Sequence, residues 1–183
     1  MNIGIDIDDT IVNTYERLLQ LICMRYNMDF NKLISKKLPY KEIYKNLENF
    51  DVIKRDLFPI MAKSVELKDN VKEVLEKLRN DGNNIIFITA RNNDDYSDPY
   101  GITYDFLDRY EIPYDKLLVS VENKGKKCLD EGIDLFIDDN MKHCKSVIDE
   151  GIKTFQFDAL FTEDVEGATR VYNWNEVYDL INN

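Results

Sequence analysis

Apolar positions along this chain follow two patterns. The chain opens with a short apolar run, Ile3-Gly4-Ile5, that ends abruptly in Asp6-Ile7-Asp8-Asp9-Thr10, which reads as a buried strand ending in carboxylates. From Val12 to about Met28, Leu18, Leu19, Ile22 and Cys23 recur at helical spacing, and two further helix-like pieces follow around Tyr40–Leu47 and Val52–Lys63. No strand pattern occurs between Thr10 and about Ile85. Asp69 is placed to cap the next helix, in which Val71, Val74, Leu75 and Leu78 line one face, and Gly82 stands where a terminating glycine would.

Beyond Gly82 the pattern alternates. Ile85–Ile88, Leu117–Val119, Leu135–Ile137 and Thr154–Phe157 read as strands, with Thr169–Val171 as a short edge strand. Helices are expected around Tyr104–Arg109, Lys124–Glu131 and Lys142–Glu150, the last two stopped by Gly132 and Gly151, and a closing helix carries Trp174 and Val177. Such alternation predicts an α/β fold with a parallel sheet covered on both faces. The early all-helical stretch then stands apart as an inserted cap, residues 14–65, between a core built from residues 1–13 and 66–183.

At 183 residues the chain can bury a substantial core. A formal charge of −11 argues against sequence-independent nucleic-acid binding, which needs cations along the phosphate track. It leaves room for a single phosphorylated substrate beside a bound Mg²⁺, which would reverse the local field. The N-terminus leads straight into the first strand with no signal-peptide pattern, and no apolar run approaches membrane-spanning length. Cys23, Cys128 and Cys144 are odd in number and lack metal-ligand spacing, so free thiols in a reducing cytoplasm are expected. No heptad or exposed apolar stripe specifies an oligomer.

The candidate chemistry lies at the strand ends, which a parallel sheet would gather on one rim. They carry Asp6-Ile7-Asp8-Asp9-Thr10, then Thr89-Ala90-Arg91, then Lys124-Gly125-Lys126-Lys127, then Asp138-Asp139-Asn140. Each cluster has a plain alternative as a helix cap, turn or solvated helix start. Crowded carboxylates, however, cost free energy unless a cation or proton compensates, and capping needs one carboxylate rather than three. On extended backbone Asp6 and Asp8 would share a face. The conjunction suits phosphoryl transfer through a covalent aspartate, with Mg²⁺, a lysine and hydrogen-bond donors neutralising charge and a second carboxylate moving protons. None of these steps needs histidine, and His143 is expected at the surface or in packing.

These clusters resemble the four motifs of the haloacid dehalogenase superfamily of aspartyl phosphotransferases. Asp6-Ile7-Asp8-Asp9-Thr10 is similar to its DxDxT first motif, Thr89 to the second, Lys124 to the third and Asp138-Asp139 to the acidic fourth. The resemblance implies a Rossmann-like three-layer α/β/α sandwich with a small helical cap after the first strand. It also implies roles. Asp6 would be nucleophile and Mg²⁺ ligand; Asp8 would be acid/base and offer its carbonyl to the metal. Thr89 and the Ala90 N–H would hold phosphate, Lys124 would balance charge, and Asp138 or Asp139 would complete the metal site. Lys127, one turn from Lys124, competes for the lysine role. Arg91 is placed to reach phosphate or sugar, or to form a structural ion pair.

Relatives with aspartate at the position of Asp8 tend to hydrolyse phosphoesters, so a phosphatase is implied. The DxDDT form, the ITAR-like second motif and the FIDD fourth motif look most like the 5′-nucleotidase, or deoxyribonucleotidase-like, branch. A nucleoside monophosphate is then the implied substrate, with neither nucleic acid nor membrane as partner. Tyr15, Phe30, Tyr40, Tyr44, Phe50 and Phe58 are available as a base platform or as packing for the cap itself. Another phosphate ester, such as a sugar phosphate, or a non-catalytic phosphate-binding protein, is the alternative. A receiver-like module fits poorly, since it places its acceptor aspartate on a later strand than its acidic pair. A phosphatase for polynucleotide ends would need a basic or aromatic extension.

Overall fold

A computed structural model describes residues 1–36, 38, 42–43, 45, 47–160 and 162–182. Six strands, β1 (Asn2–Ile5), β2 (Asn84–Ile88), β3 (Lys116–Leu118), β4 (Leu135–Asp138), β5 (Lys153–Phe157) and β6 (Thr169–Val171), form one sheet in the order β3-β2-β1-β4-β5-β6. Every pairing is parallel. From β1 the chain winds outward through β2 and β3, then returns to the other side of β1 for β4. That reversal makes the crevice between β1 and β4 the topological switch point, where ligands bind in open α/β sheets.

Strand alternation divides the core into two faces. Ile3, Ile5, Ile85, Phe87, Leu135 and Ile137 pack against α4 (Val71–Asn80), α5 (Pro99–Arg109) and α8 (Trp174–Asn182). Ile86, Ile88 and Phe136 face the other way, against α6 (Lys124–Asp130) and α7 (Met141–Ile148). The result is the expected three-layer α/β/α sandwich. Gly4 belongs to the tight side: a Cβ there would lie 3.0 Å from the Phe136 ring.

Between β1 and α4 the chain forms α1 (Thr14–Tyr26), α2 (Phe30–Ile34) and α3 (Phe50–Ser64), with no strand among the described residues of this stretch. These helices have apolar clusters of their own. Leu18, Ile22, Leu57 and Met61 form one, joined by Tyr96 from the core, and Tyr15, Leu19, Cys23, Leu33 and Ile43 form another. Two linkers run side by side into and out of the insertion, tied by a Val12–Leu67 bridge and by the Lys68 N–H donating to the Ile11 carbonyl at 2.9 Å.

Several local expectations need correction. The first strand ends at Ile5 with its apolar run, but Asp6 to Thr10 are not extended backbone: the Thr10 and Ile11 N–H groups bond back to the Ile7 carbonyl and coil the chain into a turn. Asp69 does not cap α4: the cap position is Asn70, in a left-handed conformation with no side-chain cap bond. Helix α2 has no clear periodicity, and it exists through the Asp29 carboxylate accepting the Lys32 N–H at 3.0 Å. Of the helix expected over Tyr40–Leu47, Glu42 and Ile43 are helical, while Tyr40 and Tyr44 lie outside the described residues. Gly82, Gly132 and Gly151 take positive φ after their helices, as anticipated.

Candidate active site

The turn after β1 sets the geometry. Asp6 extends the β1–β4 ladder by one bond, its N–H donating to the Ile137 carbonyl at 2.9 Å. Asp9 then takes a left-handed conformation, φ 60°, which bends the chain upward into α1. Asp6 and Asp8 are therefore presented by a coil rather than by the continued strand that their spacing suggests. Asp9 serves the local backbone instead, its carboxylate accepting the Tyr15 N–H at 2.9 Å and holding the first turn of α1.

Lys124 lies at the centre. It is fully buried, and its ammonium donates to Asp6 and, at 2.6 Å, to Asp138 across the switch point. Gly125 makes this approach possible, since a Cβ there would stand 2.1 Å from the Ser146 carbonyl oxygen of α7. The neighbouring candidates are elsewhere: Lys126 is exposed, and Lys127 pairs with Glu131 one turn on at 3.4 Å. Of the two candidates, Lys124 is the buried one that reaches the carboxylates.

The carboxylates differ sharply in their surroundings. Burial, aided by Asp138 and Asp8 and opposed by Lys124, pushes the Asp6 carboxyl up to about 7. Burial acts on Asp138 too, but Lys124 and His143 outweigh it and hold its carboxyl below the ordinary range. Both Asp138 oxygens are engaged: Oδ2 with Lys124 and His143 Nδ1 (3.2 Å), Oδ1 with the Asn140 N–H (2.7 Å). For Asp139, burial and the neighbouring Asp138, Asp9 and Asp6 outweigh the pull of Lys124 and raise its pKa well above normal, and no salt bridge reaches it among the described residues. Its contacts are with Thr10, whose hydroxyl accepts the Asp139 N–H at 3.1 Å and donates to its carboxylate at 3.4 Å.

Asp8 is held from two sides. Arg91 grips it with two bonds, Nε to Oδ2 at 2.8 Å and a terminal nitrogen to Oδ1 at 2.7 Å, and Thr14 of α1 donates to Oδ1 at 2.7 Å. Burial opposes ionisation of Asp8, but this guanidinium fork prevails and lowers its pKa. Of the two alternatives for Arg91, the structure shows the ion pair, and the guanidinium also reaches Thr103 at 3.3 Å. Thr89 is buried beneath and accepts the Arg91 N–H at 3.3 Å. The loop that carries Thr89, Ala90 and Arg91 is locked to the next strand end, where Ser120 donates twice to the Arg91 carbonyl.

Oxygens of Asp6, Asp138 and Asp139 lie within 4.8 Å of one another. An all-oxygen set in which the acidic groups outnumber the one buried ammonium suits a hard divalent cation such as Mg²⁺. Asp8 is not in this set through its carboxylate, which faces Arg91; only its carbonyl is left for a metal. Two contacts are not evident from sequence. His143 touches Asp138 instead of standing apart, and its position in the first turn after Asp138-Asp139 is the signal that points to it. Thr14 touches Asp8, four residues after Thr10 at a helix start, with no signal beyond proximity. Of the cap aromatics, Tyr15, Phe30, Phe50 and Phe58 pack into the apolar clusters of the insertion.

A parallel α/β/α sandwich with this acidic switch point and buried lysine is the architecture of a haloacid dehalogenase-like hydrolase. Solved structures of that kind superpose on it over nearly their whole length. One from Streptococcus pneumoniae matches with TM-score 0.70 and 13% identity over 98% of this chain and 97% of its own. A Bacillus subtilis HAD-hydrolase bound to magnesium matches with TM-score 0.63 and 14% identity over 100% and 98%. In sequence, a nucleotidase of Clostridium acetobutylicum is 30% identical over 189 residues, covering 99% of this chain and 93% of the relative. Residues 1–183 match the family described as 5′ nucleotidase, deoxy (Pyrimidine), cytosolic type C protein, and the chain belongs to that family. It is a hydrolase of phosphoric monoesters.

Proposed function

We propose that the protein is a Mg²⁺-dependent 5′-nucleotidase that hydrolyses deoxynucleoside monophosphates through an aspartyl-phosphate on Asp6. The observation that carries the mechanism is Lys124, buried between Asp6 and Asp138, with Asp139 beside them in no salt bridge of its own among the described residues. The family supports the substrate class. Asp6 attacks phosphorus while Asp8, which must take up a proton against the pull of Arg91 as the substrate's negative charge enters, gives that proton to the departing ester oxygen. Asp8 then takes a proton from water as that water attacks the same phosphorus, which releases phosphate and restores the Asp6 carboxylate. Thr89 and the Ala90 N–H hold the phosphoryl oxygens, and Lys124 screens Asp6 from the incoming charge. Arg91 and Thr14 fix the Asp8 carboxylate in place.

Asp6, Asp139 and the Asp8 carbonyl would hold Mg²⁺, with Asp138 behind them orienting Lys124. When bound, the ion neutralises charge on the transferring phosphoryl group. The insertion, residues 14–65, is read as a cap that closes over the substrate, and the free, buried cysteines accord with the cytoplasm. No helix among the described residues is long and apolar enough to cross a membrane.

A substrate panel tests the reading. With Mg²⁺ present, kcat/KM for deoxynucleoside monophosphates should exceed that for sugar phosphates; the reverse order overturns the nucleotidase assignment.

Asp139 supplies a second check. Its raised pKa means that the folded state favours the proton, so the penalty is absent below the ordinary carboxylate range. That penalty grows as pH rises and is full above the raised value. At pH 7 without metal, Asp139→Asn should therefore stabilise the protein by about 1 kcal/mol, or about 2–4 °C in Tm for a chain of this size. Added Mg²⁺ should raise the Tm of the parent and leave the variant unmoved. Equal shifts in both would remove Asp139 from the metal site.

A further inference from the structure

The loop between β2 and α5 reaches into the insertion. Its Tyr96 is buried and packs with Leu18 and Ile22 of α1 and with Leu57 and Met61 of α3. The Tyr96 ring centre lies 6.1 Å from that of Phe58, also on α3. On the core side, the Asn92 carbonyl accepts the Tyr96 N–H at 3.0 Å, and the Asn92 carboxamide donates to the Ala90 carbonyl at 3.3 Å. On the insertion's side, Asp95 pairs with Lys54 of α3 at 3.2 Å. Tyr96 is thus held by the core through its backbone and by the insertion through its ring.

The same ring meets Arg91. The guanidinium carbon lies 5.8 Å from the ring centre, within the reach of a cation–π attraction, about 6 Å. Two of the guanidinium nitrogens point at Asp8 and the third at the Thr103 hydroxyl, so the ring takes what the hydrogen bonds leave over. Burial and then the charge of Asp8 push the Tyr96 phenol up, with Arg91 opposing, so all three groups sense one another. The fork on Asp8 depends on opposite charges. Each turnover passes through a stage at which Asp8 carries the proton that it is to deliver, and there the attraction across the fork weakens. The Tyr96 ring and the Thr103 hydroxyl are then what keep the guanidinium in position.

We infer that Tyr96 is a positioning residue for the proton donor: braced by the insertion, its ring holds the Arg91 guanidinium on Asp8 and so keeps Asp8 aimed at the departing oxygen. The inference rests on the reading of Asp8 as proton donor above, and adds to it a residue outside the four strand-end clusters. In this role Tyr96 touches no substrate atom. Its loss weakens proton delivery and leaves Asp6, Thr89 and Lys124 undisturbed, and even a small misplacement of a catalytic group is costly.

A series of substituted phenyl phosphates, from phenyl to 4-nitrophenyl, isolates that step when kcat/KM is measured with Mg²⁺. The esters share a shape and differ in how much the leaving oxygen needs a proton: nitrophenolate departs readily without one, and phenolate does not. In Tyr96→Leu, kcat/KM for phenyl phosphate relative to 4-nitrophenyl phosphate should fall about fivefold, a part of the roughly 10²-fold or more that proton transfer contributes. Tyr96→Phe, which keeps the ring, should restore the parental ratio. Damage to the fold lowers all the esters in proportion, so an unchanged ratio in Tyr96→Leu overturns the inference. A Tyr96→Phe protein that behaves like Tyr96→Leu overturns it too, since the hydroxyl would then be the group that matters. Asp8→Asn separates this role from the reading beneath it and should lower the same ratio further than Tyr96→Leu does. If Asp8→Asn leaves the ratio unchanged, the proton-donor reading fails and the inference with it; if Asp8→Asn lowers the ratio and Tyr96→Leu does not, the inference fails alone.

Discussion

Asp6→Asn should lower phosphate release by about 10⁴-fold or more while leaving the fold intact. The size follows from removing the nucleophile of a covalent mechanism, whose loss leaves little beyond transition-state binding. Asparagine is nearly isosteric, still accepts from Lys124, and cannot form an acyl phosphate. Stability should not suffer, because the folded protein disfavours the charged form of Asp6, whose carboxyl is pushed up to about 7. Lys124 keeps Asp138 as its counter-charge at 2.6 Å. An inactive variant with an undiminished Tm separates chemistry from folding. An Asp6→Asn protein that retains parental turnover would rule out attack by this residue.

Lys124→Met should damage both stability and activity. The ammonium is fully buried and stands between Asp6 and Asp138, so its removal leaves carboxylates crowded in a site without a counter-ion. Breaking a buried pair in this way costs about 3–5 kcal/mol, which for this chain length means a fall of roughly 6–20 °C in Tm. Adding Asp138→Asn to Lys124→Met should recover part of that stability, because the second change removes the orphaned charge, and should recover no activity. Lys127→Met is the comparison: its partner is Glu131 at the surface, so stability should move by less than about 0.5 kcal/mol and turnover should hold. If the Lys127 and Lys124 variants behaved alike, the site would be built differently from the geometry described above.

The sequence made the sheet legible because its strands are short apolar runs punctuated by chemistry. Ile85–Ile88 and Leu135–Ile137 have no helical alternative at that length, and each ends in residues that a core would reject. The rim of Asp6, Asp8, Thr89, Lys124 and Asp138 followed from parallel connection alone. What stayed hidden depended on backbone conformation and on contacts across the molecule. The turn that follows β1 rests on carbonyl bonds at Ile7 and on the positive φ of Asp9, neither of which apolar spacing reports. The hold of Arg91 on Asp8 joins residues 83 apart. The choice of Lys124 over Lys127 was set by Gly125, whose missing side chain lets α6 meet α7 closely enough to bury one lysine and expose its neighbours. Helix α2 escaped because a cap, not an apolar face, starts it.

The most direct measurement of attack by Asp6 is chemical trapping of the intermediate. During steady-state hydrolysis of a deoxynucleoside monophosphate with Mg²⁺, borohydride reduces an acyl phosphate to an alcohol and so converts a phosphorylated aspartate to homoserine. Digestion and mass spectrometry should then find homoserine at residue 6 and at no other aspartate, dependent on both substrate and metal. Rapid turnover with no homoserine at residue 6, or with homoserine at Asp8 or Asp139 instead, would contradict attack by Asp6.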